Sequence, residues 1–204
     1  MLAGREMIIV LTGGIGSGKS AAAEILNKVY GFPVYQADSA VKRLYLTDPD
    51  LLNNIESDAG LSFRNSQGDF LPALMADYIF TVPGAVERVE ERVFPVLLKD
   101  FEEWRAGNDV VVFESATILE KPYFDGFGDA VIIVDAPLEV RIERAMNRDE
   151  ASRNKIMNRV ARQKMMNDIS LGIVPKDVYI CRNDGSLHQL QENLNEIIKD
   201  IINK

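Results

Sequence analysis

The sequence predicts an α/β fold in which helices flank a parallel β-sheet. Short, continuously apolar runs alternate with longer amphipathic stretches, which is the pattern of strand–helix–strand units whose strands are buried on both faces. The first apolar run, residues 7–12, leads directly into a glycine-rich loop at 13–20 and then into a helical stretch at 21–30. A glycine loop between a strand and a helix is typical of a phosphate-binding P-loop, so we expect a P-loop NTPase-type sheet.

The loop at residues 13–20 reads GGIGSGKS and matches the pattern Gly-x4-Gly-Lys-Ser. Glycines let the backbone turn tightly and aim successive N–H groups at a polyanion, and the N-terminus of the following helix adds positive potential there. Lys19 is expected to reach the β- and γ-phosphates of a nucleotide, and the Ser20 hydroxyl is expected to hold Mg²⁺. The residues predicted to bind the nucleotide in this stretch are Gly14, Ile15, Gly16, Ser17, Gly18, Lys19, Ser20 and Ala21.

A second strand is expected at residues 32–37, after a helix stop at Gly31. Asp38 follows it and precedes a predicted helix at 39–46. Because ligands bind at the carboxyl ends of parallel strands, we interpret this carboxylate as functional. The alternative is that Asp38 caps the helix, and one carboxylate can do both.

Residues 47–107 lack the strand–helix alternation and are predicted to form a helical lobe, inserted into a core of residues 1–46 and 108–204. Helical patterns lie around 51–55, at 73–80 and at 84–105, with a turn at 65–69. Pro95 lies inside the last pattern and is expected to kink or divide that helix. The insertion is too long for a simple connection, and such a lobe beside a P-loop core commonly covers a second substrate.

The core resumes with a predicted strand at 109–113, followed by Glu114 and Ser115 on the ligand side of the sheet. Another strand is predicted at 130–134 and is followed by Asp135. Pro137 is well placed at the start of the next helix, where its missing N–H is not needed. A last strand is expected at 177–181, a tight turn at 183–186 and an amphipathic closing helix at 188–202.

Residues 141–164 carry eight basic side chains against three acidic ones, in a chain whose net charge is −8. Arg144 and Arg148 are four residues apart and so share a helix face, and Arg159 and Gln163 repeat that spacing. We interpret the segment as an arginine-rich lid, at about 144–172, that stabilises a transferring phosphoryl group. A solvated helix face is the alternative. The basic residues are Arg141, Arg144, Arg148, Arg153, Lys155, Arg159, Arg162 and Lys164.

The composition and net charge of the 204-residue chain argue against several other classes of function. The acidic balance disfavours a nucleic-acid partner. The single Cys181 offers no internal disulfide or zinc set, and the single His188 is not expected to act as a base. No apolar run is long enough for a membrane span and the N-terminus has no signal-peptide pattern, so we expect a cytoplasmic protein. Residues 1–6 are expected to be dispensable, and we expect a monomer or weak homo-oligomer.

Together these motifs resemble those of the dephospho-CoA kinase family over about residues 7–190. Their order and spacing carry the resemblance more than any one of them except the first. They are LTGGIGSGKS at 11–20, Ala37-Asp38 followed by a helix, FESATILE at 113–120, Arg144-x3-Arg148-Asp149, Arg159-x3-Gln163, and Asp177-x5-Asn183-x-Gly185-Ser186.

The resemblance implies ATP-dependent phosphorylation of the ribose 3′-hydroxyl of dephospho-CoA, which gives CoA and ADP in the last step of CoA synthesis. It implies that Asp38 is the base and that Arg148 belongs to the closing lid. Asn183 would lie in a loop near adenine, and residues 47–107 would bind CoA. The catalytic residues expected are Asp38, Lys19, Arg144 and Arg148; ATP and Mg²⁺ are the cofactors, with Ser20 and Glu114 at the metal. Helix capping and a substrate contact are alternatives for Glu114.

The acceptor side departs from the family pattern. Phe94-Pro95 stands where the family has His-Pro, Leu71-Pro72 where it has Asp-Arg, and Glu114-Ser115-Ala116 where it has Asp-x-Pro. A nucleoside or nucleotide kinase therefore remains an alternative, since it would differ only in the acceptor pocket. A GTPase-type switch is a third hypothesis, but the sequence lacks the guanine-reading Asn-Lys-x-Asp. An inactive relative is disfavoured because Lys19 and Asp38 are retained.

Overall fold

A computed structural model describes residues 6–163 and 178–203 of the chain. Within these residues, five strands form one parallel sheet. They are β1 (Met7–Gly13), β2 (Val34–Gln36), β3 (Val110–Glu114), β4 (Ala130–Asp135) and β5 (Val178–Arg182). Their order across the sheet is β2-β3-β1-β4-β5. The predicted α/β fold with a parallel sheet is confirmed.

Eight α-helices lie in the described residues. They are α1 (Lys19–Tyr30), α2 (Ala37–Thr47), α3 (Pro49–Ala59), α4 (Pro72–Thr81), α5 (Ala85–Arg105), α6 (Leu138–Asp149), α7 (Arg153–Val160) and α8 (Leu187–Ile202). Two short 3₁₀ turns, Ile118–Glu120 and Pro122–Phe124, lie between β3 and β4. The described helices include none whose length and hydropathy would allow it to span a bilayer.

Strand β1 lies at the centre of the sheet, between β3 and β4. Its residue Leu11 pairs with Glu114 of β3, and its last residue, Gly13, pairs with Val134 of β4. The carboxyl ends of these three parallel strands therefore meet at one edge of the sheet. The glycine loop that leaves β1 is held at that edge.

The chain divides into two compact units, of which the first comprises Met1–Gln36 and Gly107–Lys204. Its core is formed by the apolar faces of the strands together with α1 and α8. The apolar stripe predicted for the closing helix is buried there. The residues of α8 in this core are Leu190, Leu194, Ile198 and Ile201, and those from the strands include Ile9, Leu11, Val112 and Ile132.

The second unit, Ala37–Ala106, contains α2, α3, α4 and α5. Helix α2 packs against α3 and α5, and Arg43 Nη2 donates a hydrogen bond to Asp100 Oδ2 at 2.5 Å. This helix therefore belongs with the helical unit, whose first residue lies ten positions before the start of the lobe expected from the sequence. The strand–helix pattern had grouped α2 with the sheet because the two are adjacent in sequence.

Pro95 does not divide α5, so that alternative of the prediction is wrong. The helix runs from Ala85 to Arg105 with the proline inside it. Pro95 is exposed, while Val89, Val93 and Leu97 form the buried stripe of the helix on both sides of the proline. The missing N–H therefore lies on the face where water can compensate for a lost backbone hydrogen bond.

Candidate active site

The loop between β1 and α1 has the backbone conformation that its glycines permit. Gly16 has φ 74° and Gly18 has φ 95°, both in the left-handed region that disfavours residues with a Cβ. The Ser17 N–H donates to the Gly14 carbonyl at 3.0 Å and closes a turn, and α1 begins at Lys19. The loop therefore lies at a helix N-terminus, where unpaired N–H groups and the helix dipole favour an anion.

The same two glycines allow close packing from outside the loop. A Cβ on Gly16 would lie 2.0 Å from the main-chain oxygen of Arg141 in α6. A Cβ on Gly18 would lie 1.9 Å from Nδ2 of Asn183, the residue that follows β5. Any other residue at either position would push these neighbours away, so the glycines serve the packing as well as the turn.

Lys19 and Glu114 form an ion pair at the end of the sheet. Their side chains are only 14% and 10% exposed, so the pair is shielded from water. Glu114 reaches this position because it is the last residue of β3, the strand next to β1. The structure thus brings together the residue predicted for the phosphates and one of the two predicted for Mg²⁺.

Two hydroxyls at this edge of the sheet are buried and have no hydrogen-bond partner in the described part of the chain: Thr12 Oγ1 and Ser17 Oγ. A buried polar group without a partner is costly, and a bound ligand can satisfy it. Ser20, predicted to hold Mg²⁺, is exposed in the first turn of α1. Ala21 packs its side chain into the core, so only its main chain can serve a nucleotide.

Arg141 lies beneath the loop and is 4% exposed. Its Nε donates to the Ile15 carbonyl at 3.2 Å, and its Nη2 donates to Gln163 Oε1 at 3.3 Å. The same Gln163 oxygen accepts the Ile15 N–H at 2.9 Å. Burial lowers the pKa of Arg141, and the charge of Asp135 opposes that shift. The sequence motifs did not indicate that Arg141 and Gln163 contact Ile15 of the loop. The one signal for Arg141 was its place on the same helical stripe as Arg144 and Arg148.

Arg144 is hydrogen-bonded to Asn183, and Asn183 is hydrogen-bonded to the loop. Arg144 Nη1 donates to the Asn183 carbonyl at 2.9 Å, and the Asn183 N–H donates to the Asp135 carbonyl at 2.7 Å. The Asn183 side chain is buried, and its Nδ2 donates to the Ser17 carbonyl at 2.8 Å. The resemblance places Asn183 in a loop near adenine, and in the structure its side chain holds the main chain of the P-loop.

The other arginines of the basic segment are paired with carboxylates. Asp149 accepts hydrogen bonds from Arg148 Nε at 2.7 Å and from Arg159 Nη1 at 2.5 Å. These two guanidinium groups hold the pKa of Asp149 well below its usual range. Arg153 pairs with Glu139 at 2.8 Å. Arg159 and Gln163, grouped by their spacing, contact different partners. Residues 164–172 of the predicted lid, and Asp177, lie outside the described residues.

Asp38 is the second residue of α2 and its side chain is exposed. The helix begins at Ala37, so the carboxylate lies in its first turn rather than before it. A negative charge in that turn interacts favourably with the helix dipole. Asp38 belongs to the second unit, and the hydrogen-bond network around the loop consists of residues of the first unit.

Comparison with known proteins identifies the family. The family model described as Dephospho-CoA kinase matches residues 7–188, nearly the whole chain. The chain belongs to the dephospho-CoA kinase family. The dephospho-CoA kinase of Bacteroides fragilis is 35% identical over 158 residues, which cover 76% of each chain.

Two solved structures have a similar fold over almost the full length of this chain. The Thermus thermophilus protein TT1252 has a TM-score of 0.78 and 26% identity, with 97% of this chain and 98% of that chain covered. The dephospho-CoA kinase from Campylobacter jejuni has a TM-score of 0.63 and 22% identity, with 96% and 97% covered. At that identity the Campylobacter structure supports the fold alone.

Proposed function

We propose that the protein transfers the γ-phosphoryl group of ATP to the 3′-hydroxyl of dephospho-CoA and so carries out the last step of CoA synthesis. Membership of the dephospho-CoA kinase family is the observation that carries this proposal. The loop supports it, because a phosphoryl transfer is catalysed mainly by positioning and by electrostatic stabilisation. The glycine loop, the N-terminus of α1 and Lys19 supply both at one edge of the sheet.

The nucleotide end of the proposed site fits a polyphosphate. Gly16 and Gly18 adopt conformations that expose main-chain N–H groups, and the buried Ser17 hydroxyl lacks a partner within the described residues. Lys19 is the cation for the β- and γ-phosphates. In the present structure the Lys19 ammonium group pairs with Glu114. Bound phosphates would replace this carboxylate as the partner of Lys19.

The residues present also fit a magnesium ion bound together with the nucleotide. In the described ranges, no group of three or more His, Cys, Asp or Glu side chains could hold a metal by itself. Mg²⁺ commonly takes few protein ligands and completes its shell with phosphate oxygens and water. Ser20 would supply a direct oxygen and Glu114 a water-mediated one. The ion, when bound, neutralises charge on the phosphates.

Asp38 is proposed as the catalytic base and the second unit as the CoA-binding lobe. A ribose hydroxyl is a poor nucleophile, so a carboxylate within hydrogen-bond reach must orient it and accept its proton as the new bond forms. The exposed carboxylate in the first turn of α2 can accept a hydrogen bond from such a hydroxyl. Arg144 and Arg148 are proposed to stabilise the charge that develops on the phosphoryl oxygens, which requires Arg148 to exchange Asp149 for the phosphate.

Replacement of the proposed base tests the mechanism. We expect Asp38→Asn to bind Mg-ATP normally and to lose turnover of dephospho-CoA by about 10²- to 10⁴-fold, because a positioned base contributes about that much. Asp50→Asn is the matched control: Asp50 is also exposed and is also the second residue of its helix, α3. Its turnover should equal that of the wild type. Normal turnover by Asp38→Asn would show that the base is elsewhere.

An acceptor panel tests the substrate. Wild-type protein with Mg-ATP should convert dephospho-CoA to CoA, measured by liquid chromatography, and should leave nucleosides and nucleoside monophosphates unchanged. Phosphorylation of a nucleoside in preference to dephospho-CoA would overturn the proposed function and would favour the nucleoside kinase alternative.

A further inference from the structure

Two main-chain carbonyls of the P-loop are held by buried side chains from outside the loop. The Ile15 oxygen accepts from Arg141 Nε at 3.2 Å, and the Ser17 oxygen accepts from Asn183 Nδ2 at 2.8 Å. Arg141 is 4% exposed and Asn183 is 7% exposed. We call these two hydrogen bonds the outer tethers of the loop. They join residues that are far apart in the sequence, so they are made by the tertiary fold.

The planarity of the peptide bond gives the outer tethers a consequence for the inner side of the loop. In a trans peptide, the carbonyl oxygen and the N–H of the next residue point in opposite directions. A tether that pulls the Ile15 carbonyl outward therefore turns the Gly16 N–H the other way, and the tether on Ser17 does the same for Gly18. Across the described ranges, neither of these N–H groups has an acceptor within the chain.

We propose that Arg141 and Asn183 are positioning residues that aim the Gly16 and Gly18 N–H groups at the phosphates of the nucleotide. This inference rests on the proposed function in one respect, that the bound polyanion is the tail of ATP. Neither side chain touches the phosphates; each acts through the peptide plane it holds. For Asn183 this role is additional to a place in a loop near adenine, which the family resemblance implies.

The tethers are themselves held in place. The Asn183 N–H donates to the Asp135 carbonyl at 2.7 Å and its carbonyl accepts from Arg144 Nη1 at 2.9 Å, so the backbone of Asn183 is fixed on both sides. Gln163 Oε1 accepts from Arg141 Nη2 and from the Ile15 N–H. The absence of a Cβ at Gly18 leaves room for the Asn183 amide. Preorganised donors of this kind need no rearrangement when charge arrives.

The first experiment separates the phosphate tail from the base. Binding of inorganic tripolyphosphate and of adenosine is measured by calorimetry for the wild type and for Asn183→Ala. The loss of one tether should raise the dissociation constant for tripolyphosphate by about tenfold, because the Gly18 N–H is no longer aimed at the anion. Adenosine binding should not change. Weaker adenosine binding with unchanged tripolyphosphate binding would assign Asn183 to the base and overturn the proposal.

Asn193→Ala is the matched control. Asn193 Nδ2 also donates to a main-chain carbonyl, that of Arg182, at 2.8 Å, but it lies on α8 and not at the loop. Asn193→Ala deletes the same type of hydrogen bond, here to the carbonyl of the residue that precedes Asn183. Tripolyphosphate binding by this variant should equal that of the wild type. An equal loss in both variants would mean that any such deletion weakens binding, which contradicts a specific role for Asn183.

Amide NMR gives a readout that a merely structural role would not move. In the wild type, tripolyphosphate should shift the Gly16 and Gly18 amide protons downfield as charge-assisted hydrogen bonds form. In Asn183→Ala the Gly18 shift should shrink while the Gly16 shift, set by Arg141, remains. If the variant does not fold, the wild-type spectrum alone decides, since unmoved Gly16 and Gly18 amides would overturn the proposal.

These measurements do not depend on turnover. If the wild type shows both amide shifts and Asn183→Ala loses the Gly18 shift, but the wild type does not phosphorylate dephospho-CoA, the tethers are supported and the proposed function is contradicted. If the wild type makes CoA and Asn183→Ala binds tripolyphosphate normally, the proposed function is supported and the role of the tethers is contradicted.

Discussion

At the scale of single residues, the shielded pair of Lys19 and Glu114 carries the clearest energetic consequence. An ion pair removed from water is stable only while both charges are present, because either one alone keeps the desolvation cost without the attraction. The same pair holds the P-loop cation in place before a nucleotide arrives. The proposed role of Lys19 therefore predicts that stability and nucleotide binding are coupled at these two side chains.

A double-mutant cycle measures this coupling. Lys19→Met and Glu114→Gln should each lower the free energy of unfolding by about 2–4 kcal/mol, since each removes one charge of an ion pair that is shielded from water. The double variant should lose less than the sum of the two, by about 1–3 kcal/mol. Urea unfolding of the four proteins gives the values. Additive losses would show that the pair makes no net contribution.

Cys181 predicts an alkaline limit to stability. It is fully buried in β5, and burial raises its pKa to about 12. An unfolded thiol titrates near pH 8.5, so between about pH 8.5 and 12 the folded state binds the proton that the unfolded state has lost. Stability from this residue is therefore complete below about pH 8.5 and declines as the pH rises through that window.

The measurement compares the wild type with Cys181→Ala in thermal unfolding at a series of pH values. The decline in melting temperature above about pH 8.5 should be smaller in the variant. Native wild-type protein should also resist iodoacetamide at pH 8 and react once unfolded, because the thiolate is the reactive form. Rapid alkylation of the native protein would contradict the burial argument.

At the scale of elements, α5 shows how packing overrides a local signal. Pro95 removes one backbone donor from a helix of 21 residues, yet the helix is continuous because its buried stripe packs within the helical unit. The proline is therefore accommodated at a cost in free energy. The same residue type at Pro72, the first residue of α4, carries no such cost because an N–H is not needed there.

Replacement of the two prolines tests this difference. Pro95→Ala should raise the free energy of unfolding by about 1–3 kcal/mol, since it restores a hydrogen bond on the exposed face of α5. Pro72→Ala should change it by less than about 0.5 kcal/mol or lower it slightly. Denaturant melts of both variants check the expectation. A loss of stability in Pro95→Ala would indicate that the proline shape is itself needed by the helix.

At the scale of the whole molecule, a chain with net charge −8 must bind a polyanion. The structure places two cations, Arg141 and Lys19, at the glycine loop. Arg141 contacts the Ile15 carbonyl and Lys19 lies at the end of the loop, whereas Arg144 contacts the Asn183 carbonyl, and Arg148 and Arg159 share Asp149. Local arrangement rather than total charge therefore determines binding.

Ligand binding should appear in the stability of the entire chain. Mg-ATP at about 100 times its dissociation constant should stabilise the wild type by about 2.7 kcal/mol. Asp38→Asn should be stabilised equally, since its proposed role begins after the nucleotide is bound. Lys19→Met should show little stabilisation at the same concentration. Thermal shift assays with and without Mg-ATP give the comparison, and equal stabilisation of Lys19→Met would remove this lysine from the nucleotide site.

The sequence by itself determined the strands, most helix limits and the glycine loop, because apolar periodicity, Gly31 and the Gly-x4-Gly-Lys-Ser pattern act over a few neighbouring residues. The tertiary structure decided which distant groups meet. It placed α2 in the helical unit, paired Lys19 with Glu114, and brought Arg141 and Asn183 to carbonyls that are 126 and 166 positions away in the chain. A hydrogen bond over such a separation depends on strand order and helix packing, which no local pattern encodes.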